Sequence, residues 1–288
     1  MLTFDVFAHE VGHGVLNRLM NLGYLQADMS TDVKTLHEAF GDISGVVAWY
    51  ELTGDSENYW SHGYENGGDG RNVKGIRSSY NSIPSYIDYQ PEDPNVYHRI
   101  GMISHPFYLM TQQWGIESAY RVYINSAKNC WQATHNLVDI AQCIKQQAGL
   151  FAQSGHILSK QQVSEGNTLT KTEAESDVEI AFKAVKIKLF NEGVLSHFNL
   201  PEVVIPASQL TVQFTDDSRS TGTVNQWLWD FGDGTTSSEK NPSHTYSEEK
   251  TYTVTLTVKN TEYAQEASNA VYHKDEFSRK VKVLATES

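Results

Sequence analysis

The chain has 288 residues, a formal net charge of −13, 39% hydrophobic residues and an aromatic share of 11%. That length accommodates two ordinary domains, each with its own core, and the composition excludes a disordered or low-complexity protein. The acidity argues against nucleic acid and anionic lipid as partners. No apolar run reaches the roughly 18 residues that a membrane helix needs, so no membrane is expected either.

In chain order, apolar spacing is helical over Phe4–Met20, Val33–Leu52, Ile100–Trp114, Ile116–Ala127 and Asn136–Ala148. In the first of these, Phe4, Phe7, Val11, Val15 and Leu19 mark a stripe expected to be buried. The same segment carries His9-Glu10-Val11-Gly12-His13. Positions i and i+4 of a helix face one way, so the two imidazoles converge, and neutral imidazole is a good Zn²⁺ ligand. Glu10 is rotated off that face, where it can hold a water and take its proton.

The next helix offers a third ligand. In Thr35-Leu-His-Glu-Ala-Phe-Gly-Asp42, Glu38 and Asp42 are spaced to share a face. One can bind metal while the other holds the far nitrogen of a ligating histidine. Taken alone, the pair also fits a solvated acidic face.

Residues 54–97 are rich in Gly, Ser, Asn, Asp and Tyr, and a connection this long is usually functional or ion-bound. Ser154–Thr172 is polar and weakly patterned, and is left unassigned. Beyond Pro201 the pattern becomes short strands with turns between them. Tyr252, Val254, Leu256 and Val258 alternate with threonines, which places the apolar set on one face. The expected division is a mainly α unit over residues 1–195 and an all-β unit over 202–285, with Pro201 and Pro206 bracketing the junction.

The segment Asp5-Val-Phe-Ala-His-Glu-Val-Gly-His-Gly14, then Asp28-Met-Ser30 and Glu38-Ala-Phe-Gly-Asp42, resembles the thermolysin-like zinc metallopeptidases, a gluzincin family of secreted endopeptidases. The resemblance implies that His9, His13 and Glu38 are zinc ligands, Glu10 the catalytic base and Asp42 an outer support of a ligand. Two departures accompany it. The interval from His13 to Glu38 is longer than the family's, and His37 stands where the family usually has Asn.

Asp93-Pro-Asn-Val-Tyr-His98 matches an Asp that orients a transition-state histidine in the family, which makes His98 catalytic, with Asp93 holding it so that it can donate to the oxyanion. His105 is the rival, in the following helical stretch. A second oxyanion-stabilising residue falls on Tyr24 by distance from His13, or on Gln26 by local alignment. Arg77 resembles a family arginine that binds a substrate carbonyl, and also fits a surface loop arginine. Asp5 matches a calcium ligand, with Glu51, Asp55, Glu57, Glu65 and Asp69 as further oxygen donors, and reads equally well as a helix N-terminal charge. The resemblance also implies that Cys130 and Cys143 pair, secretion supplying the oxidant.

Trp227-Leu-Trp-Asp-Phe-Gly-Asp-Gly234, Asn241-Pro-Ser-His-Thr-Tyr246 and Tyr252–Val258 resemble a PKD-type domain, which implies an immunoglobulin-like β-sandwich. Asp230 and Asp233 read as turn-formers, and exposed aromatics as contacts to insoluble protein or polysaccharide. Met1 stands close before the first histidine, whereas the family carries a β-rich lobe, a propeptide and a signal ahead of it. The chain is therefore expected to be the C-terminal part of a longer enzyme. The function so implied is a secreted zinc metalloendopeptidase acting on extracellular proteins, with Zn²⁺ and a secondary Ca²⁺ as cofactors. The alternative is a catalytically incomplete fragment that serves as a zinc-stabilised module for binding protein or polysaccharide.

Overall fold

A computed structural model describes residues 4–22, 29–54, 60–62, 71–74, 86, 95–157, 168–190, 194–199, 211–263 and 270–283. Two compact units divide between Leu189 and Phe190. In the first, the described elements are α1 (Phe4–Leu19), α2 (Thr31–Thr53), the antiparallel pair β1 (Ser61–His62) and β2 (Arg71–Asn72), a 3-10 turn (Val96–His98), α3 (Gly101–Trp114), α4 (Ile116–Asn129), α5 (Leu137–Gln153) and α6 (Lys171–Ala184). Each helix expected from apolar spacing is present.

Helix α2 is the centre of this unit. Its Val33, Leu36, Ala39, Phe40, Ile43 and Val46 are all buried, and α1, α3 and α4 pack around it. Ser30 caps its start by accepting from Val33 N at 3.1 Å, which satisfies one of the first-turn donors. Helix α6 begins inside the stretch left unassigned from sequence. Thr170 and Glu173 form a capping box there, and Ala174, Val178, Ala181 and Phe182 bury one face.

Helix α1 turns the other way from expectation. Its buried residues are Asp5, His9, Gly12 and Leu16, while Phe4, Phe7 and Val11 are 41%, 55% and 48% exposed. Both sets repeat at helical spacing, so period alone does not choose between them. Steric closeness to α2 decides. A Cβ on Gly12 would stand 2.7 Å from Ser44 Oγ, and one on Gly41 would stand 2.7 Å from His9 Cε1. Two glycines thus let the helices approach along the polar face, and the apolar stripe is left outside.

A disulfide joins Cys130, at the end of α4, to Cys143 in α5, with Cα atoms 6.0 Å apart. The bridge closes a short loop, so replacing both cysteines by serine should cost about 3 kcal/mol of unfolding free energy. Denaturant titration of this unit under oxidising conditions measures it. An unchanged midpoint would mean that the link stabilises nothing.

In the second unit, β3 (Val194–Leu195) pairs with β7 (Arg219–Ser220) and β4 (Phe198–Asn199) with β6 (Thr215–Asp216). The pair β5 (Thr211–Gln213) and β10 (Ser243–Thr245) is likewise antiparallel. A four-stranded sheet runs in the order β12 (Ala270–Val283), β11 (Lys250–Tyr263), β8 (Thr223–Asp230), β9 (Thr236–Ser237). Strand pairing by residues 194–199 places the start of the β unit ahead of both expected boundaries, 195 and 202. Pro201 and Pro206 lie outside the described residues.

Tyr252, Val254, Leu256 and Val258 are all buried, as their alternation requires, around Trp229, Phe198, Phe214 and Phe277. Gly232 and Gly234 hold positive φ (78° and 91°) in the turn after β8. Asp230 accepts from Gly232 N, and Asp233 accepts from Thr235 N and Oγ1, so both aspartates build the turn. Among the described side chains of this unit Leu228 is the large apolar one that stands exposed, and Trp227 is half-buried with its Nε1 donating to Asp216 Oδ2. The expected face of exposed aromatics is therefore not found among the described residues of this unit.

Asp233 also meets His244 Nε2 at 2.7 Å. Desolvation alone raises its pKa, but the hydrogen bonds from Thr235 and His244 outweigh it and bring the carboxyl from 3.8 to about 2. A depressed folded pKa gives stability that is present above the unfolded value and is lost as pH falls toward the folded one. Asp233→Asn should therefore destabilise the sandwich between pH 5 and 7, with the gap to the parent closing between about pH 4 and 2. Denaturation midpoints across that range decide, and a gap independent of pH would refute the assignment.

Candidate metal centre

The site is built where α1 crosses α2. His9 and His13 lie one turn apart on the face of α1 turned toward α2, and Glu38 and Asp42 lie one turn apart on α2. Glu38 Oε2 stands 3.7 Å from His9 Nε2, and Glu38 Oε1 stands 3.7 Å from His13 Nε2. Asp42 Oδ1 stands 2.9 Å behind His9, at Nδ1. His9 and Asp42 are buried, and His13 and Glu38 are partly open.

The protonation states follow from these surroundings. Burial first, and the neighbouring His9 imidazole second, push His13 below the usual imidazole range. Burial and then His13 bring His37 down to about 4. Both rings are therefore neutral at neutral pH, the form in which imidazole binds a metal. Asp42 Oδ1 stands beside His9 Nδ1 while His9 Nε2 faces Glu38.

This donor set fits a zinc ion. The separations of 3.7 Å are too long for hydrogen bonds. Donor atoms of a tetrahedral site with bonds of 2.0–2.2 Å stand roughly 3.4 Å apart, close to the spacing seen here. An oxygen of Glu10 lies within 4.8 Å of ring nitrogens of both His9 and His13. Its side chain is exposed. Gly41 makes the convergence sterically possible, since a Cβ there would also come within 3.0 Å of His13 Cε1.

His37 is the residue that sequence reasoning left without a role. Its ring stacks on that of His13, centroids 4.3 Å apart and planes 10° from parallel, and its Nε2 meets Asn17 Oδ1 at 2.9 Å. A histidine next to Glu38 was visible in the sequence, but the crossing that brings it onto His13 was not.

The other expected residues are placed as follows. His98 closes the 3-10 turn that packs against α2, and Asn95 Nδ2 donates to its Nε2 at 2.9 Å. Its expected partner Asp93 lies outside the described residues, as do Tyr24, Gln26 and Arg77. His105 Nδ1 donates to the Lys74 carbonyl at 2.7 Å. Asp5 is buried in the first turn of α1, and the two metal-capable clusters among the described residues, His9/Glu10/His13 and His13/His37/Glu38, do not include it. Glu51 is exposed at the end of α2, and Asp55, Glu57, Glu65 and Asp69 lie outside the described residues.

Residues 197–274 match the PKD domain family, and this part of the chain is a PKD domain. A stretch of 50 residues in that region is 56% identical to Collagenase ColA of Bacillus cereus strain ATCC 14579. The same length is 48% identical to Collagenase ColQ1 of Bacillus cereus strain Q1. Each match spans 17% of this chain and 5% of the collagenase. Two solved structures are similar. The PKD1 domain of Vibrio anguillarum Epp is 26% identical with a TM-score of 0.26, covering 34% of this chain and 100% of that one. The PKD1 domain of the Vibrio cholerae metalloprotease PrtV is 29% identical with a TM-score of 0.26, covering 33% and 99%.

Proposed function

We propose that the chain carries the zinc-binding lobe of a secreted metalloendopeptidase that hydrolyses peptide bonds of extracellular proteins. The observation that supports this reading is that the Glu38 carboxylate stands 3.7 Å from His9 Nε2 and 3.7 Å from His13 Nε2, with Glu10 beside the two histidines. Similarity of the PKD region to two proteins named collagenase supports a proteolytic setting and a fibrous protein as substrate. A zinc ion bound there supplies Lewis acidity to a substrate carbonyl and makes water acidic enough to lose a proton near neutral pH.

The residues divide the remaining work. His9, His13 and Glu38 hold the ion, and Asp42 fixes the His9 ring behind it. Glu10 accepts the water proton and returns it to the leaving amine. His98 donates to the oxyanion that forms on the peptide carbonyl. Calcium at Asp5 is a secondary proposal that rests on the sequence resemblance.

The exposed Phe4, Phe7 and Val11 on α1 favour a second reading, a binding module without turnover. One experiment separates the two. The zinc-loaded chain is incubated with gelatin and with a quenched-fluorescent peptide, with and without a chelator. Cleavage that the chelator abolishes and added zinc restores is expected. Zinc uptake with no cleavage at any concentration would leave the binding module as the function.

A further inference from the structure

A ligating imidazole needs something to hold its plane, because a loosely held ring turns its lone pair away from the ion. The two histidines of α1 are held in different ways. Asp42 stands behind His9 Nδ1 at 2.9 Å. Among the described residues, the carboxylate at ion-pair distance from His13 is that of Glu38, which meets Nε2 on the metal side and not Nδ1 behind.

What stands against His13 is residue 37, whose main chain acts on the ring as a hydrogen-bond partner and whose imidazole packs on it. The His37 ring lies flat on it, centroids 4.3 Å apart and planes 10° from parallel, while the His9 ring meets His13 edge-on at 4.4 Å. His37 is itself buried, and its Nε2 is tied to Asn17 Oδ1 at 2.9 Å. Asn17 lies one turn beyond His13 on the same side of α1, so this bond fixes the His37 ring along the helix that carries the ligand.

We propose that His37 is a positioning residue: together with Asn17 it clamps the His13 ring in the plane that directs Nε2 at the metal. Stacking adds to the His37 main-chain contact in holding His13, where His9 has a carboxylate behind it. The clamp rests on the zinc reading above, and its geometry makes a specific demand. A flat aromatic ring at position 37 should preserve the function, whereas a small side chain should not.

The test uses the full chain and three variants, His37→Ala, His37→Phe and Asn17→Ala. Zinc affinity is measured by competition with a chromophoric chelator. The His13 Hε1 chemical shift of the metal-free protein is read by NMR, since a stacked ring displaces it upfield. His37→Ala should weaken zinc binding about 10- to 100-fold, as loss of an outer partner does, and move the His13 signal downfield. His37→Phe should restore both to near the parent values, and Asn17→Ala should fall between. Thermal unfolding of the metal-free forms reports any general loss of packing.

Parent-like zinc affinity in His37→Ala, or His37→Phe as weak as His37→Ala, overturns the clamp. If His37→Ala does not fold, His37→Phe and Asn17→Ala carry the test: the clamp requires the first to keep and the second to lose affinity and ring shift. If the parent takes up no more zinc than His9→Ala, the zinc reading itself fails. The ring shift of the metal-free proteins then decides whether His37 orders His13.

Discussion

Glu10→Gln is expected to leave zinc uptake unchanged and to remove peptide hydrolysis, by about 10²- to 10⁴-fold. The side chain sits one residue past His9, exposed, with an oxygen within 4.8 Å of a ring nitrogen of each of His9 and His13. An amide of the same shape keeps a hydrogen bond to water but does not accept its proton. No change in metal affinity is expected, because the proposed ligands are His9, His13 and Glu38, the last standing 3.7 Å from each imidazole. Zinc content and peptide turnover measured on one preparation decide it. Retained turnover at unchanged zinc would mean that another base acts.

The second large effect concerns Glu38. Replacing it by alanine removes the carboxylate that faces both imidazoles at 3.7 Å and leaves no counter-charge between them. Zinc affinity should fall by more than the 10- to 100-fold typical of an outer partner. Asp42→Ala, which removes the support behind His9 and no ligand, should stay within that range. The order of the two variants is the informative result. A larger loss for Asp42→Ala than for Glu38→Ala would put the third ligand at Asp42 and reverse the two roles.

Local geometry explains which of these features were legible in the sequence. His9 with His13, and Glu38 with Asp42, are spaced one helical turn apart, and that spacing forces a shared face whatever the helix packs against. The buried alternation of Tyr252 to Val258 follows equally from a period of two. The packing side of α1 did not follow, because its apolar and polar stripes have the same period. Gly12 and Gly41 chose between them through contacts across two helices. The stacking of His37 on His13 depends on the same crossing and was hidden for the same reason.

The early start of the β unit was illegible for a different cause. Strands as short as Val194–Leu195 and Phe198–Asn199 contain no period to read, and partners twenty or so residues ahead define them. Helix α6 is the opposite case, since the Thr170/Glu173 capping box and the Ala174, Val178, Ala181, Phe182 stripe are both written in the chain. Asp93, Tyr24 and Arg77 lie outside the described residues, so their roles rest on sequence alone.

The account depends above all on one metal ion at the α1–α2 crossing. X-ray absorption at the zinc edge, on the full chain loaded with one equivalent of zinc, measures that directly. The account predicts one zinc per chain, with two imidazole nitrogens at about 2.0–2.1 Å and carboxylate oxygen at about 2.0–2.2 Å, and loss of one imidazole in His13→Ala. A chain that retains no zinc after dialysis, or a coordination shell that His13→Ala leaves unchanged, would contradict it.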